Sequence, residues 1–195
     1  MNYKNLIFHN LANLITLLGI ILAFVLLWET VFHRNQMVVI FLLVLAVLLT
    51  DLADGIVARY FNIISQLGAA LDRLRDKIFQ FTMFVFFVLD PRIDPWLKLA
   101  IYPLIVVEIL LLTIWYLGVK KKLNVSAGIW GKAKMFLVSI GILACPAIII
   151  AKEWGLGVPF FMVQVLFVFF LLSLCFGIMS FIKHLEKYRN QLQPL

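Results

Sequence analysis

Residues 51–76 read Asp51-Leu-Ala-Asp54-Gly55-Ile-Val-Ala58-Arg59-Tyr-Phe-Asn-Ile-Ile-Ser-Gln-Leu-Gly68-Ala-Ala-Leu-Asp72-Arg73-Leu-Arg75-Asp76, and this stretch decides how the rest of the chain is read. It puts four aspartates, three arginines and two glycines into a chain that is otherwise strongly apolar. Taken as a helix up to a short polar break, Asp51, Asp54, Gly55, Ala58 and Arg59 follow i, i+3, i+4, i+7, i+8 and share one face. In the next helix Gly68, Asp72 and Asp76 recur every four residues, again on one face. If those two faces meet, four carboxylates converge.

Carboxylates gathered in a medium of low dielectric raise each other's pKa, and desolvation adds to the effect. They stay ionised together only beside cations. Hard divalent ions such as Mg²⁺ and Mn²⁺ prefer oxygen ligands, and a pair of them about 4 Å apart is a recurring device for displacement at phosphorus. The residues therefore point to metal-assisted phosphoryl chemistry, with Asp51, Asp54, Asp72 and Asp76 as the expected ligands of two divalent ions.

The spacing Asp51-x2-Asp54-Gly55-x2-Ala58-Arg59-x8-Gly68-x3-Asp72-x3-Asp76 resembles the signature of the CDP-alcohol phosphatidyltransferases, with agreement at every defining position and gap. The resemblance implies transfer of a phosphatidyl group from CDP-diacylglycerol to a small alcohol with release of CMP, Asp76 serving as general base. It also implies a homodimer. Gly55 and Gly68 would let the nucleotide approach a helix backbone that a Cβ would block, or let helices pack closely, with Ala58 in either role. Arg59 would pair with phosphate, or else lie along the interface. Asn13 and Thr16, in an Asn-x-x-Thr element that opens the first helix of many family members, are expected near the nucleotide. Their other reading is local, a helix cap and a bond to the helix's own backbone.

The whole chain suits that reading. It has 195 residues, of which 64% are hydrophobic and 14% charged. That composition describes an integral membrane protein rather than a soluble domain. One all-α membrane domain over residues 1–195 is expected. Its spans fall at about Leu11–Val31, Met37–Arg59, Leu67–Leu89, Trp96–Leu117, Gly131–Ala151 and Phe160–Ile182, preceded by a short interfacial segment. Asp90-Pro91-Arg92-Ile93-Asp94-Pro95 reads as a tight turn, because two prolines stop a helix. Cys145 and Cys175 lie in apolar runs and imply neither a disulfide nor a zinc site.

The formal net charge is +7. Basic residues concentrate on one side of the expected spans: Lys4, Arg59, Arg73, Arg75, Lys77, Lys120, Lys121, Lys122, Lys132, Lys134, Lys183, Lys187 and Arg189. The positive-inside bias then puts both termini and the aspartates at the cytoplasmic face, of the inner membrane if the cell is bacterial. The charge suits anionic headgroups better than nucleic acid.

For the acceptor, Gly131-Lys132-Ala133-Lys134 is similar to a Gly-Lys-x-Lys element of phosphatidylglycerophosphate synthases, although Met135 and Phe136 depart from the usual continuation. Glycerol 3-phosphate is the first expectation. An inositol compound, serine or phosphatidylglycerol are the alternatives. Lys132 and Lys134 would bind the acceptor's phosphate or simply anchor headgroups. Arg73 and Arg75 are read as pointing away from the aspartate face, toward lipid headgroups or an acceptor phosphate. Glu108 lies midway along the fourth span, where an unpaired carboxylate is expensive. A reading of another class is a cation transporter with the carboxylates as an ion path, which would spread them through the membrane depth.

Overall fold

The computed structural model describes residues 3–60, 66–121 and 128–192, except for the side chains of residues 3–12, 58–59, 66–67, 69–70 and 192. Among the described residues it contains six helices and no strand: α1 (Tyr3–Phe32), α2 (Met37–Tyr60), α3 (Gln66–Leu89), α4 (Pro95–Lys120), α5 (Ile129–Glu153) and α6 (Phe160–Leu192). α1 runs unbroken from Tyr3, so the expected interfacial segment is continuous with the first helix. Likewise α6 carries the polar tail on as helix to Leu192.

Five of the helices contain stretches long and apolar enough to cross a membrane: those in α1, α2, α4, α5 and α6. α3 falls outside that set because Asp72, Arg73, Arg75, Asp76 and Lys77 crowd its first half. Its length is nonetheless adequate, since 24 residues at about 1.5 Å each exceed the hydrocarbon thickness of about 30 Å. Large apolar side chains such as Leu14, Phe24, Leu42, Leu99, Phe136 and Phe161 lie exposed on the helices. That is the surface a chain presents to lipid rather than to water.

The chain divides into two compact units, residues 1–90 and 91–195. In the first, α1 packs against both α2 and α3. Ala23, Leu26, Ile40, Val44, Val47, Met83, Phe86 and Phe87 form the core. α1 ends in a short turn in which the His33 N–H donates to the Glu29 carbonyl and the Gln36 N–H to the His33 carbonyl. α3 stops before Pro91, which cannot continue the helical ladder. Arg34 donates to the Leu89 carbonyl at 2.9 Å and so satisfies one of the acceptors left over at that helix end.

In the second unit, α6 packs against α4 and α5. Asp94 caps α4, its carboxylate accepting from the Trp96 N–H at 3.0 Å with Pro95 at the first helical position. The turn expected from Asp90 to Pro95 is therefore present, and the second proline starts the next helix. Gly141 faces Phe170 so closely that an added Cβ would lie 2.4 Å from the ring. A Cβ at Gly177 would lie 2.9 Å from Val107 and 3.4 Å from the Lys134 stem. Small residues thus set the helix spacing where no water-driven collapse operates. Cys145 is buried and Cys175 exposed, and both are free thiols.

Glu108 of α4 and Lys134 of α5 meet in this core as an ion pair, both nearly inaccessible. The Ser173 hydroxyl of α6 donates to the Lys134 carbonyl at 3.3 Å. A carboxylate and an ammonium withdrawn from water tolerate each other's presence but not each other's loss. Glu108→Leu alone should therefore destabilise the protein by on the order of 3–5 kcal/mol, while Glu108→Leu combined with Lys134→Leu recovers most of the loss. Thermal unfolding of the two variants in the same detergent, followed by circular dichroism, checks this.

Candidate active site

The carboxylates expected to meet do meet, within the first unit. The last turns of α2 supply Asp51 and Asp54, and the first turns of α3 supply Asp72 and Asp76. α1 lies against both helices and brings Thr16 and Gly19 to the same place.

At the centre stands Arg75. Its Nη1 donates to Asp54 Oδ2, and its Nη2 donates to Asp51 Oδ1 and Asp72 Oδ1. Asp76 Oδ1 is farther off, 3.4 Å from Nη2. This corrects the expectation that Arg75 points away from the aspartate face. Position i+3 lies only about 60° around a helix from position i, so Asp72, Arg75 and Asp76 form one i, i+3, i+4 face. Arg73, one residue beyond Asp72, is turned about 100° away and is exposed.

The cluster has a floor and a rim. Arg75 is 1% exposed and the Asp54 side chain 9%. Asp51, Asp72 and Asp76 keep 43–46% of their side-chain surface. Thr16 donates its hydroxyl hydrogen to Asp54 Oδ2 at 2.8 Å, so α1 helps hold the floor. Gly19 does so by lacking a side chain, because a Cβ there would lie 2.6 Å from Arg75 Cδ and 2.8 Å from Thr50 Oγ1. The Thr50 hydroxyl is turned to the Val47 carbonyl at 2.8 Å.

Among the described ion pairs four carboxylates meet one guanidinium, and three of the four lie on the accessible side. One carboxylate oxygen from each of Asp51, Asp72 and Asp76 lies within 4.8 Å of the other two, close enough for a shared ion. The donor set is entirely carboxylate oxygen, as Mg²⁺ and Mn²⁺ prefer. The donor chemistry therefore fits a hard divalent cation, which would share these three aspartates with the Arg75 Nη2 that already stands on them.

The other expected site residues are distributed as follows. Gly55 and Gly68 lie within α2 and α3, partly exposed, and Asn13 lies on α1, also partly exposed. Ala58 and Arg59 belong to α2, but their side chains are outside the described residues. Lys132 and Lys134 belong to the second unit. They lie about 200° apart around α5, so one is exposed and the other is buried against Glu108. The two lysines are thus not brought together as an anion clamp, and Glu108 has its partner in Lys134.

Three features escaped the sequence reading: Arg75 at the centre, Gly19 beneath it, and the Glu108–Lys134 pair. Signals for the first and third were available, in the i, i+3, i+4 spacing of Asp72, Arg75 and Asp76 and in the need of a mid-span carboxylate for a cation. Gly19 gave none, since its role depends on which helix crosses it.

The profile of the CDP-alcohol phosphatidyltransferase family matches residues 9–181, which include all six helices in whole or in large part. Neither a curated protein nor a solved structure gives a significant match. With the motif complete, its aspartates clustered and the family profile running through nearly the whole chain, this protein belongs to the CDP-alcohol phosphatidyltransferase family.

Proposed function

We propose that this transferase moves a phosphatidyl group from CDP-diacylglycerol to glycerol 3-phosphate at the cytoplasmic face of the membrane. The family assignment carries the coarser statement: the protein is a multi-pass membrane enzyme of phospholipid synthesis that uses a CDP-linked alcohol and a divalent metal. The transfer chemistry is supported above all by one observation, the convergence of two carboxylates from each of two helices, three of them at a partly exposed rim.

In this reading all six helices cross the bilayer, α3 with its charged first half at the headgroup level, and both termini lie in the cytoplasm. A homodimer is proposed from the resemblance alone. Mg²⁺ or Mn²⁺ bound at Asp51, Asp72 and Asp76 would supply electrostatic stabilisation of the pyrophosphate oxygens and the departing CMP. The chain's own residues do the rest. Asp54, held by Thr16 and Arg75, fixes the floor on which the rim is built. Gly55 and Gly68 admit the nucleotide to the backbone of α2 and α3, with Ala58, Arg59, Asn13 and Thr16 contributing to its pocket.

Asp76 is the base. It is the carboxylate least engaged by Arg75, at 3.4 Å, and it stands at the exposed rim. The acceptor hydroxyl oxygen bonds to the β-phosphorus, which carries the lipid, and the bond from that phosphorus to the CMP oxygen breaks. The hydroxyl proton passes to Asp76, provided that one of its oxygens is free of metal and within reach.

For the acceptor's phosphate, Arg73 is an exposed cation in the unit that holds the aspartates, whereas Arg75 and Lys134 are committed to buried carboxylates. Inositol compounds, serine and phosphatidylglycerol are the competing acceptors.

Asp76→Asn should lower turnover by at least 10²-fold, in the range typical of a lost general base, while CDP-diacylglycerol still binds. CMP release and lipid binding measured on the same preparation test this; unchanged turnover removes Asp76 from the role. In an acceptor screen with purified protein, CDP-diacylglycerol and Mg²⁺ or Mn²⁺, glycerol 3-phosphate should give the phosphatidyl product, and chelation should stop CMP release. Arg73→Ala should raise the apparent KM for glycerol 3-phosphate several-fold with little change in kcat, since a lost phosphate contact weakens ground state and transition state alike. Equal KM values would assign the acceptor phosphate elsewhere.

A further inference from the structure

Past Lys77, α3 carries only two polar side chains before it ends, Gln80 and Thr82, among residues that are otherwise apolar. Both are buried, and each has an atom without a hydrogen-bond partner, Gln80 Nε2 and Thr82 Oγ1. They differ in place. Thr82 stands at i+7 of Arg75, on the flank that passes Gly19 of α1. Gln80 stands at i+4 of Asp76 and i+8 of Asp72, so it continues the aspartate face one turn farther along the helix. Its amide has a defined orientation. Lys77 Nζ donates to Gln80 Oε1 at 3.3 Å, and an ammonium can only donate, so the oxygen is the end at Lys77 and Nε2 is the end turned from it. A buried donor left unpaired is costly and rare in a folded chain.

We infer that Gln80 reads the lipid half of the substrate: its Nε2–H donates to an ester carbonyl of the diacylglycerol while the pyrophosphate lies at the aspartates one turn above. The inference rests on the reading of the rim as the place of the phosphates, and it adds a residue that the motif does not contain. The depths agree. Four residues of helix advance about 6 Å along α3, away from its charged first half. The headgroup zone of one leaflet is about 5–7 Å thick, and a phospholipid's ester carbonyls lie about that far below its phosphate, where headgroup gives way to hydrocarbon. The chemistry agrees as well. A carbonyl oxygen only accepts, and an amide nitrogen only donates. Gln80 is 3% exposed, so water does not take the donor, and the glycerol backbone reaches it by displacing the side chains that cover it. An ether-linked lipid has no carbonyl to offer and leaves the amide unpaired, the situation in which a polar site discriminates best.

The test compares CDP-diacylglycerol with CDP-dialkylglycerol of the same chain length, as substrates of the full chain in a detergent without ester groups. Wild type should favour the ester lipid about ten-fold in kcat/KM, the size of one hydrogen bond to a buried donor. Gln80→Met keeps the length of the side chain and removes the donor, and it should bring that ratio near one. The ratio is read within one preparation, so a partial loss of folded protein cancels. A residue that served packing alone would lower both rates and leave the ratio unchanged. Should Gln80→Met not turn over, the ratio of the two lipids' dissociation constants is read instead. A wild-type ratio near one, or a ratio that survives in Gln80→Met, would overturn the inference while CMP release still supports the transferase reading. A ratio near one together with activation by added ester phospholipid would give the amide to a bilayer lipid and overturn it too. No CMP from either lipid, with metal and acceptors present, would remove the transferase reading and this inference with it.

Discussion

Like charges cannot be crowded where water is scarce unless something of opposite sign stands among them. Four aspartates at the ends of two helices that both pack on α1 meet that condition around Arg75. Much of the first unit answers to the same need. α1 contributes a hydroxyl to Asp54, and at Gly19 it withholds a side chain so that the arginine stem can pass. The helix that packs against both α2 and α3 is thus the one that seats the charge joining them. Burial of Arg75 would be prohibitive for an isolated guanidinium, and it is tolerable because the group is enclosed by acceptors.

The second unit uses the same chemistry to a different end. Glu108 and Lys134 are one carboxylate and one ammonium, both buried, with formal charges that cancel. Such a pair has little left with which to recruit an ion, so it reads as a fastening between α4 and α5. The described ion pairs of the aspartate cluster set four carboxylates around one guanidinium, three of them on the exposed side. Surplus negative charge that solvent can reach attracts a cation, and oxygen donors select a hard one. The contrast lies in stoichiometry and exposure, not in residue type.

Much of this was legible before any coordinates. The run of apolar segments marked the helices, because a bilayer leaves few other ways to satisfy a backbone. The prolines at 91 and 95 marked the break between α3 and α4. The aspartate spacing marked the cluster, because period and face are properties of a single helix. What stayed hidden depends on neighbours. Arg75 stands at i+3 of Asp72, a position on the aspartate face, but only the packing of α1 shows that its long side chain turns inward rather than out to headgroups. Lys134 shares a four-residue element with Lys132, yet a 200° turn separates them, and burial against Glu108 follows from how α4 and α5 meet. The charged start of α3 weakened its hydropathy for the very reason that it carries the site.

The geometry also bears on the transporter alternative. An ion path needs successive stations at different depths, each weak enough to release what it binds. Here the described acidic cluster is gathered about a single guanidinium, and behind the rim the way is closed by Arg75 and Asp54, both buried. A transported ion would have to displace a side chain that four carboxylates and a tailored backbone hold in place. An ion held at the rim needs no onward passage. It needs only to be reached from one side by a charged substrate, and three half-exposed aspartates over a neutralised floor provide that access. The feature that would block transport is therefore the one that equips the cluster for catalysis at a surface.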